Sequence, residues 1–239
     1  MVSADEVAAA LEGGADVVDV KNPAEGSLGA PSPALLRSIR PLVAPPVLLS
    51  AALGDAPHLP GTMALAAAGA AGCGADYVKV GLLGSARADQ ALDLLTAVCR
   101  AAAEASPRTR VVAVAYADAA RNGGLAPGLL PAVAREAGAH GVMLDTAVKD
   151  GSSTFEVLGE PAVFSFVKAA RDRGLMTALA GTLRAQDIPL VRALGVDLVG
   201  FRGAACIGGR GGKVSAARVG DLRAALGRSA PASPSLAHP

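Results

Sequence analysis

The chain has 239 residues, of which 51% are hydrophobic and only 3% aromatic, and its formal net charge is +1. That length suits one large domain or two small ones, and a core of this size folds without disulfides. A near-neutral charge without a basic stripe and interleaved aromatics argues against a nucleic-acid partner. The three cysteines lack C-x-x-C spacing and the three histidines are scattered, so we expect neither a disulfide framework nor a metal site.

The two ends of the chain and its apolar stretches predict a cytoplasmic protein. The chain is polar by Ser3, unlike a signal peptide, and its longest apolar stretch, 63–71, is far shorter than the roughly 20 residues of a membrane helix. We therefore expect no membrane association. Residues 227–239 are rich in Ser, Pro and Ala without periodicity, which predicts a disordered tail after a single catalytic domain over 1–226.

Strand and helix patterns alternate along the chain. Apolar runs of strand length recur at intervals of about 30 residues, the length of one βα unit. They begin near Val17, Val47, Tyr77, Val111, Gly141, Leu175 and Leu198. Segments with helical periodicity separate them, among them 4–11, 88–105 and 164–173. This alternation predicts an α/β protein with a parallel sheet under helical cover.

A TIM-like (β/α)8 barrel explains the pattern better than the competing open, doubly wound sheet. The last inward positions of every second strand are Lys21, Gly81, Asp145 and Arg202. Charged residues and glycines at the carboxyl ends of strands are how a barrel presents its active site. Since Met1–Ser3 alone precede the first helix, we expect the first strand to be short or truncated. Either they supply a minimal strand, or a second subunit of a homo-oligomer covers the edge.

Two lysines stand at the ends of apolar strand patterns, where lysine is unusual. Because alternate side chains of a strand share a face, Lys21 points with Asp19, and Lys79 points with Tyr77. Burial would lower the pKa of such a lysine and make it an amine nucleophile or base near neutral pH. Imine chemistry is therefore the first functional hypothesis.

Asp145 and Lys149 complete the candidate catalytic set of Asp19, Lys21, Lys79, Asp145 and Lys149. A turn after the strand would bring Lys149 back over the barrel mouth. Crowded cations lower the pKa of one another, which activates a lysine for Schiff-base formation, and carboxylates hold the charge. The alternative is that some of the five are solvated rim residues, and Lys149 is the least secure because loop lysines are common.

The loops after the last two strands are candidate phosphate sites. Barrels hold phosphate there through backbone N–H groups and a short helix N-terminus. The candidate contacts are Gly181, Thr182, Arg202, Gly203 and Gly208. Glycines let the backbone approach an anion closely, although they are equally typical of turns without a ligand. The run 208–213 does not match a Walker loop.

Five segments of the chain carry a family resemblance. They are Asp19–Gly29, Gly74–Leu82, Ala115–Asp118, Met143–Gly151 and Val199–Cys206. The strings Asp-Val-Lys-Asn-Pro in the first and Leu-Asp-Thr-Ala-Val-Lys-Asp-Gly in the fourth are the most specific. Together, and in order over about residues 2–226, they resemble the (5-formylfuran-3-yl)methyl phosphate synthase family, which acts early in methanofuran biosynthesis.

The resemblance implies a fold, a reaction and a set of roles. The family is a TIM-like barrel, a lyase that joins two molecules of glyceraldehyde 3-phosphate into a furan aldehyde phosphate without metal or organic cofactor. Its Schiff-base lysine falls on Lys21 and its second catalytic lysine, the proton acceptor, on Lys79. Its supporting residues fall on Asp19, Asp145 and Lys149. Two alternatives stay open: another Schiff-base phosphosugar aldolase, and a non-catalytic phosphosugar-binding barrel.

Overall fold

The computed structural model of the protein describes residues 1–55 and 57–227. The strands there are β1 (Val17–Val20), β2 (Leu48–Ala52), β3 (Tyr77–Gly81), β4 (Arg110–Tyr116), β5 (Gly141–Asp145), β6 (Met176–Leu179), β7 (Leu198–Val199), β8 (Cys206–Ile207) and β9 (Lys213–Val214). The helices are α1 (Ala4–Glu12), α2 (Pro33–Ile39), α3 (Pro60–Gly72), α4 (Ala88–Ala105), α5 (Ala119–Asn122), α6 (Leu130–Glu136), α7 (Thr154–Leu158), α8 (Glu160–Arg171), α9 (Ile188–Leu194) and α10 (Ala216–Leu226). Short 3-10 turns occur at Pro23–Glu25, Arg40–Leu42, Pro127–Leu129 and Ala185–Asp187.

The main sheet has the strand order of a TIM barrel. Strands β1 to β7 pair in parallel, each with the next one in the chain. A doubly wound sheet would reverse this order at a switch point near its centre, so the competing doubly wound fold was wrong. Within the described residues the sheet is curled but not closed by strand pairing, since β1 and β7 are its two edges. The strands β8 and β9 form a separate antiparallel hairpin after β7. The α/β, TIM-barrel-like fold predicted from the sequence is confirmed.

Element positions follow the sequence pattern closely. All seven predicted strand starts lie within one residue of the observed ones, and the helix predicted over 88–105 is α4. The helix predicted over 164–173 begins earlier, at Glu160, because Pro161 occupies its first turn, where a missing N–H costs nothing.

Two apolar layers lie on opposite faces of the sheet. Val18 and Val20 are fully buried between the sheet and the helices, and so are Val78 and Val80. Tyr77 belongs instead to the inner layer, together with other inward residues of the strands: Val112, Val114, Tyr116, Met143 and Ala178. The strand phase that directs Asp19, Lys21 and Lys79 inward is therefore confirmed.

Residues 1–3 form no assigned strand, but Met1 pairs with β1. The Met1 amino group donates to the Asp19 carbonyl, and Lys21 N donates to the Met1 carbonyl at 3.2 Å. This is the hydrogen-bond pattern of one residue in a parallel strand beside β1. Ser3 then caps α1 through a bond from Glu6 N. A homo-oligomer that covers this edge stays a prediction.

Side chains bridge the seam between the first and last elements. Arg202, after β7, donates to both carboxylate oxygens of Glu6 on α1, at 2.9 and 2.7 Å. Arg223 on α10 pairs with Asp16 at 3.1 Å. The two ends of the described chain are thus held together across the gap between β1 and β7.

The C-terminal prediction falls mostly outside the described residues. Gly227 ends α10 with a left-handed φ of 67°, and the rest of the tail predicted over 227–239 lies outside the described residues. The domain boundary at residue 226 stays a prediction. Within residues 1–55 and 57–227, no helix is both long and apolar enough to cross a membrane.

Candidate active site

A cavity of about 270 Å³ opens on the inner face of the sheet. Its lining includes every residue of the predicted catalytic set, namely Asp19, Lys21, Lys79, Asp145 and Lys149. These residues come from β1, β3 and β5 or the positions just after them, so alternate strands converge on one space, as in the layers of a barrel. The cavity also extends along the seam between β1 and β7, where Leu222 of α10 lines it.

Lys79 and Asp19 form a buried ion pair across β1 and β3. Lys79 is 6% exposed, and its Nζ donates to Asp19 Oδ2 at 2.6 Å. Burial raises the pKa of Asp19, but the positive charges of Lys79, the Met1 amino group and Lys21 outweigh it and hold that pKa below its usual value. Asp19 Oδ1 is buried and accepts no hydrogen bond from the described residues, so one acceptor of this pair is left unsatisfied.

Lys149 and Asp145 form the second ion pair. Lys149 Nζ donates to Asp145 Oδ1 at 2.6 Å and to the Thr146 carbonyl at 2.6 Å. Asp118 holds this loop, because its two oxygens accept from Ala147 N and Val148 N, both at 2.8 Å. Lys149 therefore points back into the cavity, as predicted from its place in the loop after β5.

Lys21 differs from the other two lysines. Its Nζ donates to the Ser27 carbonyl at 3.1 Å and, among the described residues, to no carboxylate. Burial, opposed by the charges of Asp145 and Asp19 and assisted by those of Lys79 and Lys149, lowers the pKa of Lys21 to about 8. An amine with that pKa is about one-tenth neutral at pH 7, which is far more than an ordinary lysine. Of the three lysines that line this cavity, Lys21 is the one without a hydrogen bond to a carboxylate of the described residues.

The five predicted phosphate contacts do not all reach the cavity. Gly181, Thr182, Arg202 and Gly203 line it, whereas Gly208 lies outside that lining, in the turn between β8 and β9. The Arg202 guanidinium forms an ion pair with Glu6 and also donates to the carbonyls of Arg210 and Gly212, both at 3.2 Å. A phosphate would therefore meet the backbone of these loops more readily than the Arg202 charge.

Sequence reasoning missed several residues that the fold brings to the site. Arg210 lines the cavity from the β8–β9 hairpin, and the available signal was an arginine inside the glycine-rich run 208–213. Ser27 supplies the carbonyl that holds Lys21. Asp55, after β2, and Tyr116, at the end of β4, are hydrogen-bonded to each other. The available signal for Asp55 was a Gly-Asp pair in the loop that follows a barrel strand, separated from its end by one residue.

Solved structures with the same fold include two phosphosugar enzymes. A 3-hexulose-6-phosphate synthase superposes with a TM-score of 0.63 at 20% identity, covering 95% of this chain and 96% of that one. Phosphoribosyl anthranilate isomerase from Thermus thermophilus gives a TM-score of 0.62 at 17% identity, with 95% of each chain covered. At such identities the likeness shows the barrel-like fold alone.

Sequence comparisons identify the family as well as the fold. The family model described as 4-HFC-P synthase matches residues 1–223. The chain is 50% identical over 194 residues to the (5-formylfuran-3-yl)methyl phosphate synthase of Methanopyrus kandleri, covering 81% of this chain and 82% of that protein. The synthase of the same name from Methanocaldococcus jannaschii is 44% identical over 194 residues, covering 81% of this chain and 83% of that protein. The chain therefore belongs to the 4-HFC-P synthase family and is an enzyme.

Proposed function

We propose that the protein is a lyase that condenses two molecules of glyceraldehyde 3-phosphate into (5-formylfuran-3-yl)methyl phosphate. The names of its relatives support the product. The observation that carries the chemistry is Lys21, an inward amine with a pKa lowered to about 8 and without a carboxylate partner, between two ion-paired lysines. Such an amine is suited to covalent catalysis through an imine.

The first step is attack of neutral Lys21 Nζ on the aldehyde carbon of one triose phosphate. Water leaves and an iminium forms, which acidifies the hydrogen on carbon 2. Asp19 and Asp145 stabilise the positive charge, as both contribute to the electrostatic environment of Lys21. Loss of that hydrogen gives an enamine, and the enamine expels the phosphate from carbon 3 to leave an enol that is nucleophilic at carbon 3.

The second triose must react at its carbon 2. In the furan product the ring carbon that bears the phosphomethyl group derives from that carbon, so the second triose reacts as the ketone tautomer. Conversion of the aldehyde into the ketone requires a proton transfer between carbons 1 and 2. The buried Lys79–Asp19 pair, with its 2.6 Å hydrogen bond, is the proton-transfer unit in this proposal.

Aldol addition and ring closure complete the proposed reaction. The enol adds to the ketone, a hydroxyl closes the five-membered ring, dehydration makes it aromatic, and hydrolysis of the imine releases the aldehyde. Two triose phosphates thus yield one furan aldehyde phosphate, one phosphate and two water molecules. Backbone groups at Gly181, Thr182 and Gly203 and the side chain of Arg210 would hold the phosphates, since all line the cavity. Roles for Arg202 and Gly208 in phosphate binding stay predictions.

Incubation with glyceraldehyde 3-phosphate tests the proposal. We expect an ultraviolet-absorbing furan aldehyde with the product's mass, and one phosphate released for each furan formed. Borohydride added during turnover should fix a triose fragment on Lys21, which peptide mass mapping would locate. A non-aromatic sugar phosphate would indicate another aldolase, and an adduct on Lys79 would exchange the roles of the two lysines. Binding without turnover would contradict catalysis altogether.

A further inference from the structure

We propose that Asp55 is a positioning residue for Lys21 and acts through the peptide group that joins Ser27 to Leu28. The inference rests on the proposed function only in taking Lys21 as the Schiff-base lysine. The juxtaposition of Asp55, this peptide and the Lys21 amine is a property of the fold itself. It also accounts for Gly81, an inward strand-end residue that has no part in the reaction steps above.

The two sides of one peptide group connect the carboxylate with the amine. Leu28 N donates to Asp55 Oδ2 at 3.2 Å. The carbonyl of the same peptide, Ser27 O, accepts from Lys21 Nζ at 3.1 Å. An acceptor on the N–H side polarises the amide and strengthens its carbonyl as an acceptor. Asp55 therefore sets both the position and the strength of the hydrogen bond that orients the Lys21 side chain.

Asp55 is itself held in place. The Tyr116 hydroxyl donates to Asp55 Oδ1, and Tyr116 is only 1% exposed. A Cβ on Gly81 would overlap the Asp55 carboxylate and would lie 2.9 Å from the Tyr116 hydroxyl oxygen. Only glycine at this inward position of β3 leaves room for the pair. Burial raises the pKa of Asp55, against the lowering effect of the hydrogen bonds from Tyr116 and Leu28.

The segment between β1 and α2 that carries the peptide caps the barrel mouth. Leu28 is fully buried and belongs to the inner apolar layer. The Ser27 hydroxyl donates to the Thr146 carbonyl at 3.0 Å, which ties the segment to the loop of Lys149. A segment held at Asp55 and Thr146 keeps water from the Lys21 amine. Loss of the Asp55 anchor should therefore rehydrate Lys21 and move its pKa upward.

The charged and titratable groups around this unit come from several elements. Those that affect Lys21 are Asp19, Lys79, Asp145, Lys149 and the Met1 amino group. Those that affect Asp55 are Tyr116, Asp145 and Lys149. All of them are retained in an Asp55 variant. Loss of the Asp55 charge alone would lower the Lys21 pKa, so a rise of the Lys21 midpoint would report the loss of the anchor.

The test measures the Lys21 amine directly. Trace acetylation of the intact protein over a range of pH, followed by peptide mass spectrometry, gives the titration of Lys21 without any need for turnover. In Asp55→Ala we expect the Lys21 midpoint to move to higher pH. Borohydride trapping with glyceraldehyde 3-phosphate should slow by roughly 100-fold, the order expected when a reacting group is displaced by about 1 Å. Labelling of Lys168, on the exposed face of α8, should not change.

Two matched variants separate positioning from stability. Asp76→Ala removes a carboxylate that likewise accepts a backbone N–H, from Leu49 at 2.7 Å, but at the opposite end of the sheet. It should lower the melting temperature and leave Lys21 labelling unchanged. Asp55→Asn keeps the shape and the Leu28 bond, so it should restore most of the trapping rate. Should Asp55→Ala fail to fold, Tyr116→Phe, which removes one bond to Asp55, should move the Lys21 midpoint in the same direction.

The outcomes are distinct. An unchanged Lys21 titration in folded Asp55→Ala, or in Tyr116→Phe if the alanine variant does not fold, would overturn the positioning role. No trapped adduct on Lys21 in the natural protein would contradict the proposed function instead. In that case the shift of Lys21 labelling would still decide the inference about Asp55.

Discussion

At the scale of single residues, the three lysines that line one cavity have two kinds of environment. Lys79 and Lys149 each lie 2.6 Å from a carboxylate oxygen, whereas Lys21 meets a backbone carbonyl. Removal from water disfavours the charged form of an amine unless an anion compensates. The division into a nucleophilic and a proton-transfer lysine that we propose therefore rests on which amines have an anion in direct contact.

The pH dependence of imine formation should follow Lys21. Because only the neutral amine attacks, the trapping rate should rise about tenfold per pH unit below the Lys21 pKa and level off above it. That pKa is lowered to about 8, so the plateau should begin near pH 8 rather than near 10.5. Single-turnover trapping across this range measures it. A rate that still rises steeply at pH 9.5 would show that Lys21 is no more acidic than a free lysine.

Lys79→Arg tests proton transfer against charge alone. Arginine keeps a cation beside Asp19 but does not give up its proton at working pH. We expect furan formation to fall by about 10²-fold or more, with phosphate affinity retained, as measured by turnover and by inhibition with inorganic phosphate. Near-normal turnover would show that Lys79 acts only as a charge. Lys168→Arg, an exposed exchange on α8, is the control for the substitution itself.

At the scale of elements, the loops after β5 and β6 form one interlocked unit. Thr154 N donates to the Gly181 carbonyl at 3.0 Å, and Thr154 Oγ1 donates to the Ala180 carbonyl at 2.6 Å. Thr182 has a left-handed φ of 52°, which costs a β-branched residue about 1 kcal/mol or more. Strain of this kind at the candidate phosphate loop agrees with a site that is shaped before substrate arrives.

Gly181→Ala should destabilise the protein by more than the unfavourable φ at this position alone would cost. Gly181 has a φ of 92°, and an added Cβ would overlap Thr154 Oγ1 and lie 2.9 Å from Thr146 N. Gly174 has a φ of 68° with open space around it, so Gly174→Ala isolates the backbone term of about 1 kcal/mol. We expect Gly181→Ala to cost about 3 kcal/mol or more in urea unfolding and to raise KM. Equal costs for the two variants would contradict the steric argument.

At the scale of the whole molecule, the barrel depends on contacts between its first and last elements. The Glu6–Arg202 pair joins α1 to the loop after β7 across 196 residues of chain. Both side chains are largely buried, at 11% and 23% exposed. A partly buried, bidentate pair of this kind contributes more than surface ion pairs do.

Glu6→Gln should weaken this closure. Burial raises the pKa of Glu6, but hydrogen bonds from Arg202 and Val2 N outweigh it and hold that pKa below 4.5. The stabilisation is therefore present above pH 4.5 and is lost as the pH falls through the folded-state value. At pH 7 we expect the free energy of unfolding, measured in urea, to fall by about 1–3 kcal/mol in this variant. The difference between the variant and the natural protein should become smaller below pH 4.5. Glu104→Gln, in an exposed pair with Arg100 at 4.0 Å, should cost under about 0.5 kcal/mol.

The sequence by itself determined the order of elements and the face of each strand residue. Apolar periodicity placed β1 to β7 within one residue of their starts. Strand alternation directed Lys21 and Lys79 inward, because the period of two leaves no other choice once the valines face the helices. These are local properties, and a short window of residues is enough to specify them.

Only the tertiary structure decided which groups meet. Lys79 pairs with Asp19 sixty residues earlier, and Arg202 donates to Glu6 although its place in the loop after the last strand suggested a phosphate ligand. Asp55 reaches Lys21 through the Ser27–Leu28 peptide. A hydrogen bond requires its two atoms to lie within about 3 Å of each other with good alignment. That geometry is set by the packing of several strands and loops at once, which residue spacing along the chain does not encode.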